Sequence, residues 1–452
     1  MHFRIFILLF VLTNSFLVSA NAKDTLTGAM VSAYNTSGLL EQNRAVLRAA
    51  DEDVATAASQ LAPVVSWASS VSHSGSGSSS FDTSANASLS ASYTVYDGGK
   101  NDLGLEAAKF SVLATRSKLV NVEQNVLFGA VTAYLGVIRE TENVALRENN
   151  LSVIREELRA ANDRFEVGEI TKTDVALAEA RLAASNSALA VAKGSYEKAV
   201  ASYISAIGEK PNTPKYPNFV PEVPSSLESA IAIALTEHPS IGEIKNLVKV
   251  SEINSKIADL ATGFTISLGS SVSLDEEGET SGNLNVTASG PIFSGGKLYS
   301  SSRKKIALKE QVLARLYSSK ISIEQNVTNA FSSLKVAQAA KLAAGEQIRA
   351  TEVALKGVKE EAVLGARTTL DVLNAEKDLL DARMQLISAK VDENLSMYQL
   401  LLQIGRLTAD YLGLPVVQYD VKKYYDLVKN SPASKTKSGR ELDNILKSLI
   451  SD

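Results

Sequence analysis

Two segments of the chain alternate between apolar and polar residues, and this pattern predicts β-strands. In residues 81–96 the odd positions are mostly apolar, whereas the even positions up to Thr94 carry Ser, Thr, Asn and Asp. Residues 283–292 alternate in the same way, and each segment follows another candidate strand, 65–73 or 264–274, across a polar turn. A period of two is typical of a strand with one apolar and one polar face. We therefore expect two β-hairpins with strands of about ten residues.

Longer segments beside the hairpins have the apolar period of helices. Residues 26–61 and 226–262 carry apolar stripes, and both segments are predicted to be helical. The proline-free run Gly99–Phe165 predicts a helix roughly 100 Å long at about 1.5 Å per residue. Gly168 interrupts this run, and a return helix is predicted from about Thr173 to Ala206. This pattern predicts a long helical hairpin with Gly168 at its tip.

The second half of the chain repeats the first. The sequence Gly98-Gly99-Lys100, which follows one predicted strand, recurs as Gly295-Gly296-Lys297. The stretch GEITKTDVALAEARL, residues 168–182, recurs as GARTTLDVLNAEKDL, residues 365–379. We interpret this self-similarity as an internal duplication, so a second helical hairpin is expected with its break at Gly365.

The N-terminus and the prolines predict the domain organisation. Arg4, the apolar run Ile5–Leu12 and the small residues Ala20 and Ala22 are typical of a secretory signal peptide. Five prolines crowd between residues 211 and 224, which predicts an extended linker. We expect a signal peptide, a first repeat, a linker, a second repeat and a C-terminal extension, over residues 1–22, 23–207, 208–225, 226–405 and 406–452.

Composition and charge argue against several classes of function. The net charge is −4, which does not favour nucleic-acid binding. Cysteine is absent, so no disulfide, thiolate metal site or lipid-bearing cysteine exists, and only three histidines are present. No group of histidines or carboxylates has the spacing of a metal site or a catalytic triad. We predict no enzymatic activity, no metal and no cofactor.

The predicted strands favour a membrane location. Their polar positions are almost purely Ser, Thr and Asn, and aromatic residues lie at or near the strand ends: Trp67, Phe81, Tyr93, Tyr96, Phe264 and Phe293. One apolar face and interfacial aromatics are typical of lipid-facing transmembrane strands. Open strand edges are not tolerated in lipid, and four strands are too few for a closed barrel. Several chains are therefore expected to pool their strands in one barrel.

With these features the chain resembles the TolC family of trimeric outer-membrane channels. The most specific signal is a pair of octets, Gly-x-x-Thr-x-x-Asp-Val, at residues 168–175 and 365–372. The resemblance implies a mixed, mainly α fold. It also implies a homotrimer with a 12-stranded β-barrel among outer-membrane lipids, continuous with a 12-helix periplasmic α-barrel. The C-terminal extension is then expected in the periplasm.

The resemblance also implies roles for individual residues. The arm tips are expected to form the periplasmic gate and to contact an adaptor, through Gly168, Thr171, Thr173, Asp174, Gly365, Arg367, Thr368 and Asp371. The strand-to-helix corners are expected at Gly98, Gly99, Gly295 and Gly296. Asp174 and Arg367 are a candidate lock between helix hairpins, although helix or loop capping is an alternative role for the tip residues. The chain departs from the family pattern at Ala362 and Asn374, where a gate tyrosine and a second ring aspartate would stand.

The resemblance implies the exit duct of a tripartite export system. The tail at residues 404–430 and the absence of cysteine favour type I protein secretion, with a membrane-fusion adaptor and an inner-membrane ABC transporter as partners. The alternative is multidrug efflux with a proton-driven pump. An alternative from another class is a secreted trimeric coiled-coil fibre or adhesin. The polar segments Ser74–Ser80 and Asp275–Gly282 are expected at the cell surface.

Overall fold

The chain folds into two compact units, each built from segments that are distant in sequence. The computed structural model describes residues 25–75, 82–217 and 221–429, so the predicted signal peptide lies outside it. Within these residues, unit 1 comprises 25–41, 120–217, 221–238 and 322–418, and unit 2 comprises 42–75, 82–119, 239–321 and 419–429. Both units draw on both halves of the sequence, so this division does not test the predicted consecutive repeats.

The two segments predicted as helices beside the hairpins are each divided into two helices. The first gives α1 (Leu26–Thr36) and α2 (Gly38–Ser59), because Ser37 is extended and its hydroxyl accepts a hydrogen bond from the Leu40 amide at 3.3 Å.

The second segment gives α5 (Leu227–Glu237) and α6 (Pro239–Leu260). A proline disfavours helical backbone in the residue before it, and His238 is accordingly extended. Both predicted segments are therefore helical over most of their length, with one break in each.

Four long helices form the predicted arms. They are α3 (Lys100–Glu166) and α4 (Lys172–Ile207) in the first half, and α7 (Lys297–Val363) and α8 (Thr369–Gln403) in the second. Ile323, Val327, Ala330, Leu334 and Ala337 are buried on α7 at alternating intervals of four and three, a spacing typical of helices packed side by side. Among the described residues, no helix is both long and apolar enough to cross a membrane.

Four strands form one antiparallel sheet in unit 2. They are β1 (Val64–Ser74), β2 (Asp82–Tyr96), β3 (Thr265–Asp275) and β4 (Thr280–Ser289), in the order β1-β2-β3-β4. Both predicted hairpins are present, and β2 pairs with β3 to join them. β4 ends at Ser289, so the last three residues of the predicted strand 283–292 lie outside it. Phe81, the first residue of the predicted strand 81–96, lies outside the described residues.

The linker and the C-terminal segment pack on their own units. In unit 1, the Tyr134 hydroxyl donates to the Lys215 carbonyl at 2.8 Å, and Tyr216 donates to Glu142 at 3.1 Å. In unit 2, the short helix α9 (Lys423–Val428) is held by a 2.8 Å hydrogen bond from the Tyr424 hydroxyl to Glu52. The prolines of the linker therefore interrupt helices without preventing this segment from packing.

Candidate functional site

The strand register places the apolar residues of all four strands on one face of the sheet. Trp67 pairs with Leu89, and Leu89 pairs with Val272. On the same face, Leu268 pairs with Val286. These side chains are exposed in the single chain, with 79% of Trp67 and 70% of Val286 accessible. An apolar surface of this extent is typical of a face that contacts lipid or protein.

The opposite face of the sheet carries hydroxyl groups. Ser66 and Ser90 lie 2.9 Å apart through their hydroxyl oxygens, and Ser273 and Ser281 lie 2.7 Å apart in the same way. In such cross-strand pairs, two uncharged side chains satisfy each other through a hydrogen bond. The alternation predicted from the sequence is therefore confirmed as a sheet with two chemically distinct faces.

The two strand-to-helix corners use glycine in a conformation that other residues avoid. The φ angles are 76° and 84° at Gly98 and Gly99, and 59° and 82° at Gly295 and Gly296. Positive φ carries little cost for glycine, which explains why both copies retain the pair. In the first corner Asp97 also caps α3, because its carboxylate accepts from the amides of Gly99 at 2.8 Å and Asn101 at 2.8 Å. Sequence reasoning missed this role, although an Asp before Gly-Gly at a helix start is a recognisable capping signal.

Each arm tip begins with a left-handed glycine. Gly168 has φ 77° and Gly365 has φ 75°. At the first tip the Gly168 amide donates to the Phe165 carbonyl at 3.0 Å, and the Glu169 amide donates to the Arg164 carbonyl at 2.9 Å. The second tip repeats both bonds, which together form a Schellman motif that ends the helix.

Each tip ends with a capping box. The Thr171 amide donates to the Asp174 carboxylate at 2.9 Å, and the Asp174 amide donates to the Thr171 hydroxyl at 3.4 Å. Thr368 and Asp371 make the same pair of bonds, at 2.9 and 3.2 Å. Hydrogen bonds from Thr171 lower the pKa of Asp174, and those from Thr368 lower the pKa of Asp371. The spacing that the two octets share therefore has a local structural function.

The two residues of the candidate lock have other partners within one chain. Arg367 pairs with Glu361 through Nε and Oε2 at 2.8 Å, and this hydrogen bond raises the pKa of the guanidinium. Asp174 caps α4, and Thr173 is exposed in the first turn of that helix. The lock is therefore not formed within the described chain.

Other polar contacts connect the two helical hairpins near the tips. Lys359 of α7 lies 2.5 Å from Glu376 of α8 and 3.6 Å from Glu157 of α3. Arg181 of α4 donates to the amide oxygen of Asn374 of α8 at 2.9 Å. Sequence reasoning missed these contacts, because no local pattern indicates which residues of distant helices meet.

Similarity to known proteins identifies the family. The model of the family described as outer membrane efflux protein matches residues 31–209 and 256–406. The chain belongs to this family. A relative in it, outer membrane efflux protein BepC of Brucella suis biovar 1 (strain 1330), is 35% identical over 418 residues, 91% of this chain and 92% of the relative. The alkaline protease secretion protein AprF of Pseudomonas aeruginosa is 24% identical over 292 residues, 60% of this chain and 59% of that protein.

The fold agrees with the family. The Campylobacter jejuni CmeC outer membrane channel superposes with a TM-score of 0.77 at 16% identity, covering 90% of this chain and 89% of that one. The mainly helical fold with a small antiparallel sheet is therefore that of TolC-like channels. The protein is an outer-membrane efflux channel and not an enzyme, as predicted. This membership favours the channel over the secreted fibre that the sequence left as an alternative.

Proposed function

We propose that three copies of the chain form the outer-membrane exit duct of a tripartite export system. The observation that carries this proposal is the four-stranded sheet, whose β1 and β4 edges have no neighbouring strand among the described residues. Its apolar face is exposed, and unpaired edges are not tolerated in lipid. Three sheets joined edge to edge satisfy the backbone groups and complete a 12-stranded barrel. In this proposal the segments 23–207 and 226–405 are the two copies of a duplicated unit, and their arms supply a 12-helix tunnel.

A cysteine cross-link between sheet edges tests the trimer. The chain has no native cysteine, so a panel that combines Ser69→Cys in β1 with a cysteine at Asn283, Leu284 or Asn285 in β4 has a clean background. Oxidation of the matching register is expected to link neighbouring chains into dimers and trimers on a non-reducing gel.

The control pair is Ser88→Cys with Ser273→Cys, which face each other across β2 and β3 and should link only within a chain. Single-cysteine variants should not cross-link. If every edge pair remains monomeric while the control pair reacts, the shared barrel is wrong.

We propose that the arm tips form the periplasmic gate and contact the adaptor. The support is that both octets lie on exposed, well-capped turns, which present Thr173 and Arg367 to a partner. In this proposal the lock between Asp174 and Arg367 forms between neighbouring chains. The contacts of Lys359 and Arg181 hold the two hairpins of one chain together on the same side of the duct.

We propose type I protein secretion as the export process, with an ABC transporter and a membrane-fusion adaptor as partners. The support is the resemblance of residues 404–430 to that branch and the similarity to a protein named for alkaline protease secretion. Multidrug efflux is a second candidate because the relative at 35% identity is named an efflux protein.

Deletion of the gene in its native bacterium distinguishes the two processes. For protein secretion, we expect at least one protein to disappear from the culture medium while drug susceptibility stays unchanged. For drug efflux, we expect unchanged secreted protein and a lower inhibitory concentration of several unrelated compounds. Complementation with the wild-type gene is the control for both readouts.

A further inference from the structure

A small cavity in unit 1 is lined by an excess of positive charge. It has a volume of about 280 Å³ and lies among α3, α4 and α8. Its charged lining residues are Arg147, Arg181, Lys377 and Asp381, so three cations face one carboxylate. None of these residues belongs to the tip octets or the corners.

The single carboxylate is already paired, and among the described residues the two arginines have only neutral partners. Lys377 binds Asp381 at 2.6 Å. Within the part of the chain that the structure describes, the Arg147 guanidinium donates to the Met384 sulfur at 2.9 Å, and that of Arg181 donates to the Asn374 amide oxygen at 2.9 Å. A thioether is a weak acceptor, and neither contact supplies the negative charge that a half-buried guanidinium favours.

The remaining polar groups of the cavity add donors. Ser185 is 8% exposed, and its hydroxyl donates to the Asn150 side-chain oxygen at 3.2 Å. Asn150 itself lines the cavity, and its side-chain NH₂ group carries two N–H donors. The cavity therefore combines two guanidinium groups, one ammonium group and one amide group with a single acid.

We propose that this cavity binds a small oxyanion of the phosphate or sulfate class. Arginine side chains bind such anions through paired N–H donors, and the two guanidinium groups come from different helices, α3 and α4. A bound anion would accept hydrogen bonds from both guanidinium groups and would connect α3, α4 and α8 of the unit. The site goes beyond the proposed function, because it depends only on the fold of unit 1 and not on the export partners.

Protection of an engineered cysteine tests the site in the full-length protein in detergent. Ala184 lines the cavity, whereas the neighbouring Ala183 does not, and both are exposed. In Ala184→Cys, inorganic phosphate at ten times its dissociation constant is expected to slow maleimide modification about tenfold. The matched control Ala183→Cys should be unaffected, and chloride at equal ionic strength should not protect either cysteine.

The arginines are tested by adding Arg147→Gln and Arg181→Gln to the Ala184→Cys background. Loss of the phosphate protection supports the proposal, and unchanged protection overturns it. If neither phosphate nor sulfate protects the cysteine in Ala184→Cys alone, the proposed site is wrong. The result with the two arginine substitutions does not change that conclusion. Protection by acetate but not by phosphate would overturn the assigned class of anion.

Discussion

Asp51 in α2 is a buried carboxyl group with an unusual environment. Its side chain is 1% exposed, and neither oxygen has a hydrogen-bond partner among the described residues. Burial raises its pKa from 3.8 to about 6, against the opposing charge of Arg116 and with a contribution from Glu52. The folded chain therefore holds a proton between about pH 4 and 6 that the unfolded chain releases.

We expect the stability of the protein to fall as pH rises through this range. The sign follows because the native state binds more protons than the unfolded state, and the shift corresponds to at most about 3 kcal/mol. Asp51→Asn should remove most of this dependence in urea unfolding followed by circular dichroism between pH 4 and 7. Asp53→Asn, at an exposed position of the same helix, is the neighbouring control, and an unchanged pH profile in Asp51→Asn would show that another group is responsible.

The tip residues combine a local and a proposed long-range role, which mutations can separate. We expect Asp174→Ala with Arg367→Ser to raise single-channel conductance in planar bilayers, because the double variant removes the proposed lock between chains and leaves assembly intact. Thr171→Ala removes the cap but keeps both charges, at a cost of about 1 kcal/mol to the helix end.

Thr171→Ser keeps the capping hydroxyl and should behave as wild type in both stability and conductance. If Thr171→Ala raises conductance as much as the double variant does, the tip acts through capping rather than through an ion pair. If the double variant leaves conductance unchanged, the lock is wrong.

At the scale of elements, the corners depend on glycine for backbone reasons alone. No neighbouring atom lies within 4 Å of a Cβ built on Gly99 or Gly296, so their positive φ angles are the main obstacle to a side chain. We expect Gly99→Ala and Gly296→Ala each to destabilise the fold by roughly 1–2 kcal/mol in urea unfolding.

A helical glycine provides the matched control for the corners. Gly345 lies within α7 and also has open space around it, so Gly345→Ala should stabilise the helix by roughly 0.5–1 kcal/mol. Equal effects of alanine at all three positions would contradict the role of φ.

Lys359 connects three arms and gives a second prediction at this scale. Its partner Glu376 is 8% exposed, and Lys359→Met would leave that carboxylate without its counter-charge. Burial lowers the pKa of Lys359, but the bonds and charges of Glu376 and Glu157 outweigh burial and raise it.

We expect Lys359→Met to cost about 1–3 kcal/mol in urea unfolding. Adding Glu376→Gln should recover part of this loss, because the buried charge is then removed. Lys356→Met, on a more exposed side chain of the same helix, is the control and should be near neutral. Additive effects of the two variants would show that Lys359 and Glu376 are not coupled.

At the scale of the molecule, the turn between β3 and β4 reports the topology in the membrane. Gly278 has φ 79° and lies in an exposed turn, and its amide donates to the Asp275 carbonyl at 3.2 Å. An epitope inserted after Gly278 is expected to be detected by antibody on intact cells. A matched epitope after Gly168 should be detected only after permeabilisation, and the reverse result would invert the proposed orientation. The same location is predicted for Ser74–Ser80, of which residues 76–80 lie outside the described residues.

The sequence by itself determined the elements whose signals are local. Alternation specified the two hairpins, proline-free runs specified the arms, and the octets specified the tips, because period and turn chemistry depend on neighbours within a few residues. Pro239 also carried a local signal for the break before α6, because proline disfavours helical backbone in the residue before it.

The tertiary structure decided which distant residues meet. The pairing of β2 with β3, the contact of Lys359 with Glu157 and Glu376, and the cavity between Arg147 and Arg181 all join segments far apart in the chain. The pairing of Arg367 is a short-range example of the same kind. Arg367 binds Glu361 rather than the predicted partner Asp174, because the turn at the tip brings Glu361 close to it. Such contacts follow from the packing of whole helices and strands, and no local pattern contains that information.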